Sequence, residues 1–301
     1  MTAPVAPFGR VLTAMVTPFT ADGALDLAAA QRLAVHLVDQ GNDGLVVSGT
    51  TGESPSTTRA EKADLLRAVV DAVGGRAQVL AGAGTNDTRQ SLELAADAEK
   101  AGATGLLLVT PYYSKPPQAG IVAHTLAITE STALPVMLYD IPGRTGLALE
   151  PATLLELAEH PQIVAVKDAK DDVAATAWLL ARCGLAVYSG TDALNLPLLS
   201  VGACGFVSVV SHLVTPQLVE LVASYNAGDV ARARAVNADL QPVYTSLFRT
   251  QGVILTKAAL RLQGIETGPV RLPLVNATAE QVAVLRADLT AAGVLSMAVS
   301  A

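Results

Sequence analysis

Ile163-Val164-Ala165-Val166-Lys167 is an apolar run, mostly β-branched, that ends on a lysine. Its composition predicts a strand buried on both faces. Of the chain's six lysines, Lys167 is the one set in such a strand-like run. Burial disfavours an ammonium, lowers its pKa and frees the amine to attack a carbonyl. The alternative is a lysine that snorkels into a loop or pairs with Asp168. Outward from this run the pattern repeats. Val11–Val16, Gly44–Val47, Ala77–Ala81, Gly105–Val109, Pro135–Tyr139, Ala186–Ser189 and Gly205–Val209 are further strand-like runs, making eight with the first. Between them lie Ala/Leu/Glu-rich segments with helical spacing: 26–40, 58–73, 88–101, 118–132, 151–160 and 173–182. Gly41, Gly74, Gly102 and Gly184 supply closing signals. Doubly apolar strands alternating with helices predict a parallel sheet, and eight units predict a closed (β/α)₈ TIM barrel. A doubly wound open sheet is the alternative, and it usually has fewer strands.

The strand signal stops near Ser224. Asp229–Leu240, Gly252–Leu262 and Thr278–Ala292 read as helices, the last opened by the capping box Thr278-Ala279-Glu280-Gln281. The expected organisation is a barrel over residues 1–224 and a C-terminal helical extension over 225–301.

Composition excludes several classes. The 301 residues are 51% apolar, yet no uninterrupted apolar stretch approaches the ~18 residues of a spanning helix. Met1 to Arg10 has neither a basic start nor an apolar h-region, which predicts no secretory signal. Cys183 and Cys204 sit in apolar contexts and read as thiols of a reducing compartment, so the expected location is cytoplasmic. A net charge of −7, scattered basic residues and 4% aromatics argue against nucleic-acid binding. His36, His124, His160 and His212 lack carboxylate partners at ligand spacing, so no metal and no cofactor are expected. Gly82-Ala83-Gly84 lacks the third glycine of a dinucleotide loop.

Barrel enzymes draw their chemistry from the C-terminal ends of the strands. Those ends carry Ser48-Gly49-Thr50-Thr51-Gly52-Glu53, Gly82-Ala83-Gly84-Thr85-Asn86, Thr110-Pro111-Tyr112-Tyr113, Tyr139-Asp140-Ile141-Pro142-Gly143-Arg144, Lys167, Ser189-Gly190-Thr191 and Ser208. The Gly49–Gly52 turn offers hydroxyls and backbone N–H groups, a seat for a carboxylate. Arg144 is a fork for a second carboxylate, or else a surface ion-pair residue. Tyr139 ends the strand next to that of Lys167, and a phenol beside an amine can move protons; the alternative is a core tyrosine.

These motifs together resemble the dihydrodipicolinate synthase (4-hydroxy-tetrahydrodipicolinate synthase) family of the pyruvate-dependent class I aldolase superfamily, which also contains N-acetylneuraminate lyase. The resemblance spans nearly the whole chain and rests on Gly49–Ser54, Thr110–Tyr113, Tyr139–Gly146 and Val166-Lys167-Asp168. It implies a Schiff-base lyase that condenses pyruvate with L-aspartate 4-semialdehyde in lysine (diaminopimelate) biosynthesis, built as a homotetramer from dimers. By the same resemblance Lys167 is the imine-forming lysine and Tyr139 its proton donor and acceptor. Thr50 and Tyr113 complete a proton relay, Tyr113 reaching in from a neighbouring subunit. Thr51, Gly190 and the backbone of Val207 bind substrate, and Arg144 holds the semialdehyde carboxylate. Ser54, Asn86 and Tyr112 match an effector interface found in lysine-inhibited relatives, whereas Arg59, Lys62 and Gln90 depart from it. Asp140 stands where the family commonly has Asn. Other superfamily aldolases, acting on N-acetylneuraminate or keto-sugar acids, would use the same lysine and tyrosine. Thr50 and Arg144-Thr145-Gly146 favour the short acidic substrate. A non-catalytic binding protein on this scaffold would be expected to lose the lysine or the tyrosine.

Overall fold

The computed structural model describes residues 4–295. Eight strands close into one parallel barrel in chain order: β1 Val11–Ala14, β2 Gly44–Val47, β3 Gln78–Gly82, β4 Gly105–Val109, β5 Val136–Asp140, β6 Ile163–Asp168, β7 Ala186–Ser189 and β8 Gly205–Ser208. β8 pairs with β1 through Leu12 opposite Val207, which completes the cylinder. Alternate residues along each strand divide between two apolar environments. Leu12, Val46, Leu80, Leu107, Met137, Ala165 and Val207 fill the barrel interior. Leu45, Val47, Val79, Leu106, Leu108, Leu138 and Val166 face the surrounding helices. This two-sided burial is why the strands read as continuous apolar runs.

The helices around the barrel are α1 Leu27–Asp39, α2 Arg59–Val73, α3 Thr88–Lys100, α4 Gln118–Thr129, the single turn α5 Pro142–Thr145, α6 Pro151–Ala158, α7 Val173–Leu180, α8 Asn195–Val201 and α9 Ser211–Asn226. Their starts are chemically marked. The side chains of Asp26, Asp87 and Asp172 accept backbone N–H groups at the first turns of α1, α3 and α7. Thr58 and Glu61 form a capping box on α2. Of the expected closing glycines, Gly41 and Gly102 take the left-handed conformation, but at the end of α2 that role falls to Gly75 and not to Gly74.

Three further helices follow: α10 Val230–Leu247, α11 Gly252–Leu262 and α12 Ala279–Ala291. They join α9 around a second apolar cluster that includes Val214, Leu218, Val236, Leu240, Tyr244, Leu255, Ala259 and Leu285. The Thr278/Gln281 capping box opens α12 as expected. The sequence pattern ends α10 at Leu240, yet the helix runs on through Pro242 to Leu247. Proline forfeits one intrahelical hydrogen bond, and burial of Val243, Tyr244 and Leu247 offsets it. α11 is buried from Gly252 to Leu260, on all its faces. No helix among the described residues is long and apolar enough to cross a membrane.

Candidate active site

A cavity of about 650 Å³ opens at the C-terminal rim of the barrel. It is lined by Thr50, Thr51, Tyr139, Arg144, Lys167 and Gly190, and along its outer side by Tyr244, Phe248 and Gln251 of the C-terminal helices and their linker. Six of the residues read from the sequence as chemical thus share one space.

Lys167 enters it by strand parity. Ala165 points inward and Val166 outward, so Lys167 points inward again, and it is 5% exposed. The strand register sets Tyr139 directly opposite Lys167. The ammonium lies 4.2 Å from the centroid of the Tyr139 ring. Asp168 is not its partner: that carboxylate faces the other side of the sheet and receives Lys170 at 3.3 Å and the Thr176 hydroxyl. Among the described residues Lys167 forms no ion pair. A buried amine beside a phenol, with no carboxylate ion-paired to it, is the setting a nucleophilic lysine needs. Gly190 permits this packing, since a Cβ there would lie 3.0 Å from both Cγ and Cε of Lys167.

The Thr50–Thr51 turn is held by backbone. The Glu53 N–H donates to the Thr50 carbonyl at 3.1 Å, and the Ser54 N–H to Gly49 at 3.2 Å. Ser48 and Glu53 flank the turn in the left-handed region, with φ of 58° and 55°. Gly82 makes room for this loop, because a Cβ there would meet the Ser48 carbonyl at 2.3 Å. The Gly82-Ala83-Gly84 run therefore serves close backbone packing. Arg144 projects from α5 at the mouth of the cavity, exposed and with no ion pair among the described residues. Asp192 anchors the floor on the β8 side. It accepts the Ser208 hydroxyl at 2.5 Å and the N–H groups of Val209 and Val210 at 2.9 and 3.1 Å. Burial raises its pKa against the pull of those hydrogen bonds.

Other expected residues lie apart. Val207 is fully buried inside the barrel, and Val209, two residues on, lines the cavity. Tyr113 is 89% exposed, outside the cavity of its own chain, with φ at +70°. Tyr112 is half-buried against the backbone of Asn86, and burial raises its pKa. Ser54 lies near Lys62, whose ammonium takes up the Ser54 and Thr57 carbonyls at 2.7 and 2.5 Å and the Thr57 hydroxyl at 2.8 Å. Arg59 is engaged by Glu93 and Asp97.

Two features escaped the sequence reading. Lys167 is not the most deeply buried lysine: Lys257 is 2% exposed, set in the apolar run Val253–Leu260. Its partner, Glu53, comes from the Gly49–Ser54 loop at 2.7 Å. A lysine at the centre of a helix apolar all round was the available signal. Asp140 is fully buried and pairs with Lys170 at 3.7 Å.

The fold and the rim define a (β/α)₈ barrel with a buried lysine–tyrosine pair that shares its cavity with the Thr50–Thr51 turn and Arg144. Comparison with known proteins narrows this class. The chain belongs to the dihydrodipicolinate synthetase family, whose model matches residues 7–292. It is 67% identical to the 4-hydroxy-tetrahydrodipicolinate synthase of Acidothermus cellulolyticus over 96% of this chain and 94% of that one. It is 63% identical to 4-hydroxy-tetrahydrodipicolinate synthase 2 of Streptomyces coelicolor, over 97% of each. Among solved structures it superposes on the lysine-bound synthase of Cyanidioschyzon merolae with a TM-score of 0.94 and 43% identity, covering 96% of this chain and 99% of that chain.

Proposed function

We infer that this chain is a 4-hydroxy-tetrahydrodipicolinate synthase, a lyase of the class I aldolase type that condenses pyruvate with L-aspartate 4-semialdehyde. The observation that carries the reading is Lys167, buried, opposite Tyr139 and, among the described residues, without a carboxylate partner. The Lys167 amine adds to the keto carbon of pyruvate. The carbinolamine hydroxyl leaves as water on a proton delivered through Tyr139, and an imine remains. Loss of a methyl proton gives the enamine, whose carbon attacks the aldehyde to form the new C–C bond. The semialdehyde's own amine then displaces Lys167 from the imine carbon and closes the ring. Thr51 and the turn's N–H groups seat the pyruvate carboxylate, with Gly190 and the Val207 backbone alongside. Arg144 receives the semialdehyde carboxylate.

Thr50 relays protons to Tyr139, and Tyr113 from a neighbouring subunit completes the relay in a homotetramer built as a dimer of dimers. The exposure of Tyr113 in its own chain supports this arrangement. The free thiols Cys183 and Cys204 suit the cytoplasm. The barrel carries the catalytic side chains, and the helical extension beyond residue 224 adds Tyr244, Phe248 and Gln251 to the cavity wall.

The test is a coupled assay with pyruvate and aspartate semialdehyde beside one with N-acetylneuraminate; turnover only in the second would overturn the reading. Borohydride reduction with pyruvate should leave one adduct, on Lys167, and Lys167→Ala should abolish it. An adduct on Lys170 would refute the assignment, since Lys170 is ion-paired with Asp140 and Asp168.

A further inference from the structure

The loop that seats the keto acid is fastened from below by a buried ion pair to the far end of the chain. Glu53 closes the Thr50–Glu53 turn through its own N–H, and its carboxylate points away from the cavity into the protein. There Lys257 of α11 approaches at 2.7 Å, and the Arg271 N–H donates to it at 2.8 Å. Both side chains of the pair are essentially without solvent contact. The Lys257 ammonium also donates to the Pro269 carbonyl at 2.7 Å and lies 4.4 Å from the centroid of the Phe19 ring. Arg271 covers the same ring at 4.1 Å and forks onto Glu61 at 2.5 and 3.0 Å. Its Nη1 donates to the Ser56 carbonyl at 2.9 Å, on the other side of the loop. The Thr17 hydroxyl holds the Gly52 carbonyl at 2.6 Å.

Two consecutive facts give this network a direction. The loop carries non-glycine residues at positive φ on both sides of the threonines, a conformation that persists only when its surroundings over-determine it. A buried ion pair is seldom the most stable filling for its volume, and fixing one geometry is a recurrent use of it. Meanwhile the first turn of α11, at Gln251, Gly252 and Val253, itself lines the cavity. One helix therefore touches the site at its start and holds the opposite wall one and a half turns later.

We propose that Glu53 and Lys257 are positioning residues for the keto-acid carboxylate seat, through which the C-terminal helical segment sets the Thr50–Thr51 turn. The inference rests on the synthase reading above. The pair touches neither substrate, so its removal changes where the turn sits and leaves Lys167, Tyr139 and Arg144 in place.

The experiment compares Glu53→Gln, Lys257→Met and the double variant with the native chain. Each is assayed for kcat, for KM of both substrates and for borohydride trapping across a pyruvate titration, with circular dichroism to establish folding. Single variants strand a buried charge, so the double variant, which removes both, is the decisive one if either single fails to fold. The expected result is a pyruvate KM and half-trapping concentration raised about tenfold or more, against a semialdehyde KM within about twofold of native. A folded double variant with native pyruvate KM, or one in which both KM values rise together, would overturn the proposal. Absence of any pyruvate trapping in the native chain would instead strike the synthase reading.

Discussion

Lys167 and Lys170 lie three residues apart in opposite electrostatic surroundings. The first faces a phenol inside the barrel; the second, in the loop beyond β6 and also lining the cavity, meets the carboxylates of Asp140 and Asp168. Strand parity turns Lys167 inward, and it was readable from Ile163–Lys167. What could not be read was Asp140, because the sequence does not state that Lys170 folds back upon it. Burial pushes the Asp140 carboxyl up to about 6, against the opposing pull of Lys170 and the Leu149 N–H. A carboxyl whose folded pKa lies above its unfolded one near 3.8 contributes stability at low pH that is lost as pH rises through 6. Asp140→Asn should therefore gain on the native chain by about 1–2 kcal/mol between pH 5 and pH 8. Denaturant titrations of both proteins at the two pH values measure it, and a gain of opposite sign would show that the Lys170 pairing dominates. Arg144 is exposed at the cavity mouth. Losing its charge-assisted contacts costs about 1.5–3 kcal/mol per hydrogen bond. Arg144→Ala should still trap pyruvate on Lys167 while the semialdehyde KM rises steeply; equal loss of trapping would place Arg144 in the pyruvate seat.

At the scale of elements, β2, β4 and β7 coincide with their apolar runs, and the other strands differ by one or two residues. Strands buried on both faces advertise themselves. Short helices do not: α8, Leu-rich with Pro197 inside it, has too little length for a helical period to emerge. α9 carries a non-helical residue at Val214 and Pro216 within it. The candidate site was legible wherever a strand end supplies the side chain, as with Tyr139 and Lys167. It was illegible where a distant helix supplies it, as with Lys257. The α2 start bears on regulation. Lys62 takes up the carbonyls of Ser54 and Thr57, and burial lowers its pKa to about 8, so it stays largely protonated at neutral pH. A cationic effector arriving near Ser54 would meet that ammonium and find those acceptors occupied. Arg59 contributes less to the repulsion, being neutralised by Glu93 and Asp97. Inhibition by L-lysine should be weak or absent in an activity titration. Half-inhibition well below about 1 mM, or binding tighter than roughly −4 kcal/mol, would contradict it.

For the whole molecule, the relay proposed above needs Tyr113 from a second copy. Splitting the dimer should therefore lower activity, and light scattering under assay conditions would reveal a fully active monomer if the relay were complete within one chain. The closed sheet makes this measurement clean. In a barrel every strand has two neighbours, and here β8 and β1 join what would otherwise be two open margins. Within the barrel no row of unsatisfied backbone groups remains to invite strand addition from another chain. Copies of the chain that associate would then meet through loops and helix surfaces, where side chains decide the contact. Quaternary structure can consequently be edited one residue at a time without costing the barrel a single ladder hydrogen bond, and a lineage carrying this fold can gain or shed subunits while the barrel stays whole, giving up only the groups that a neighbour lends.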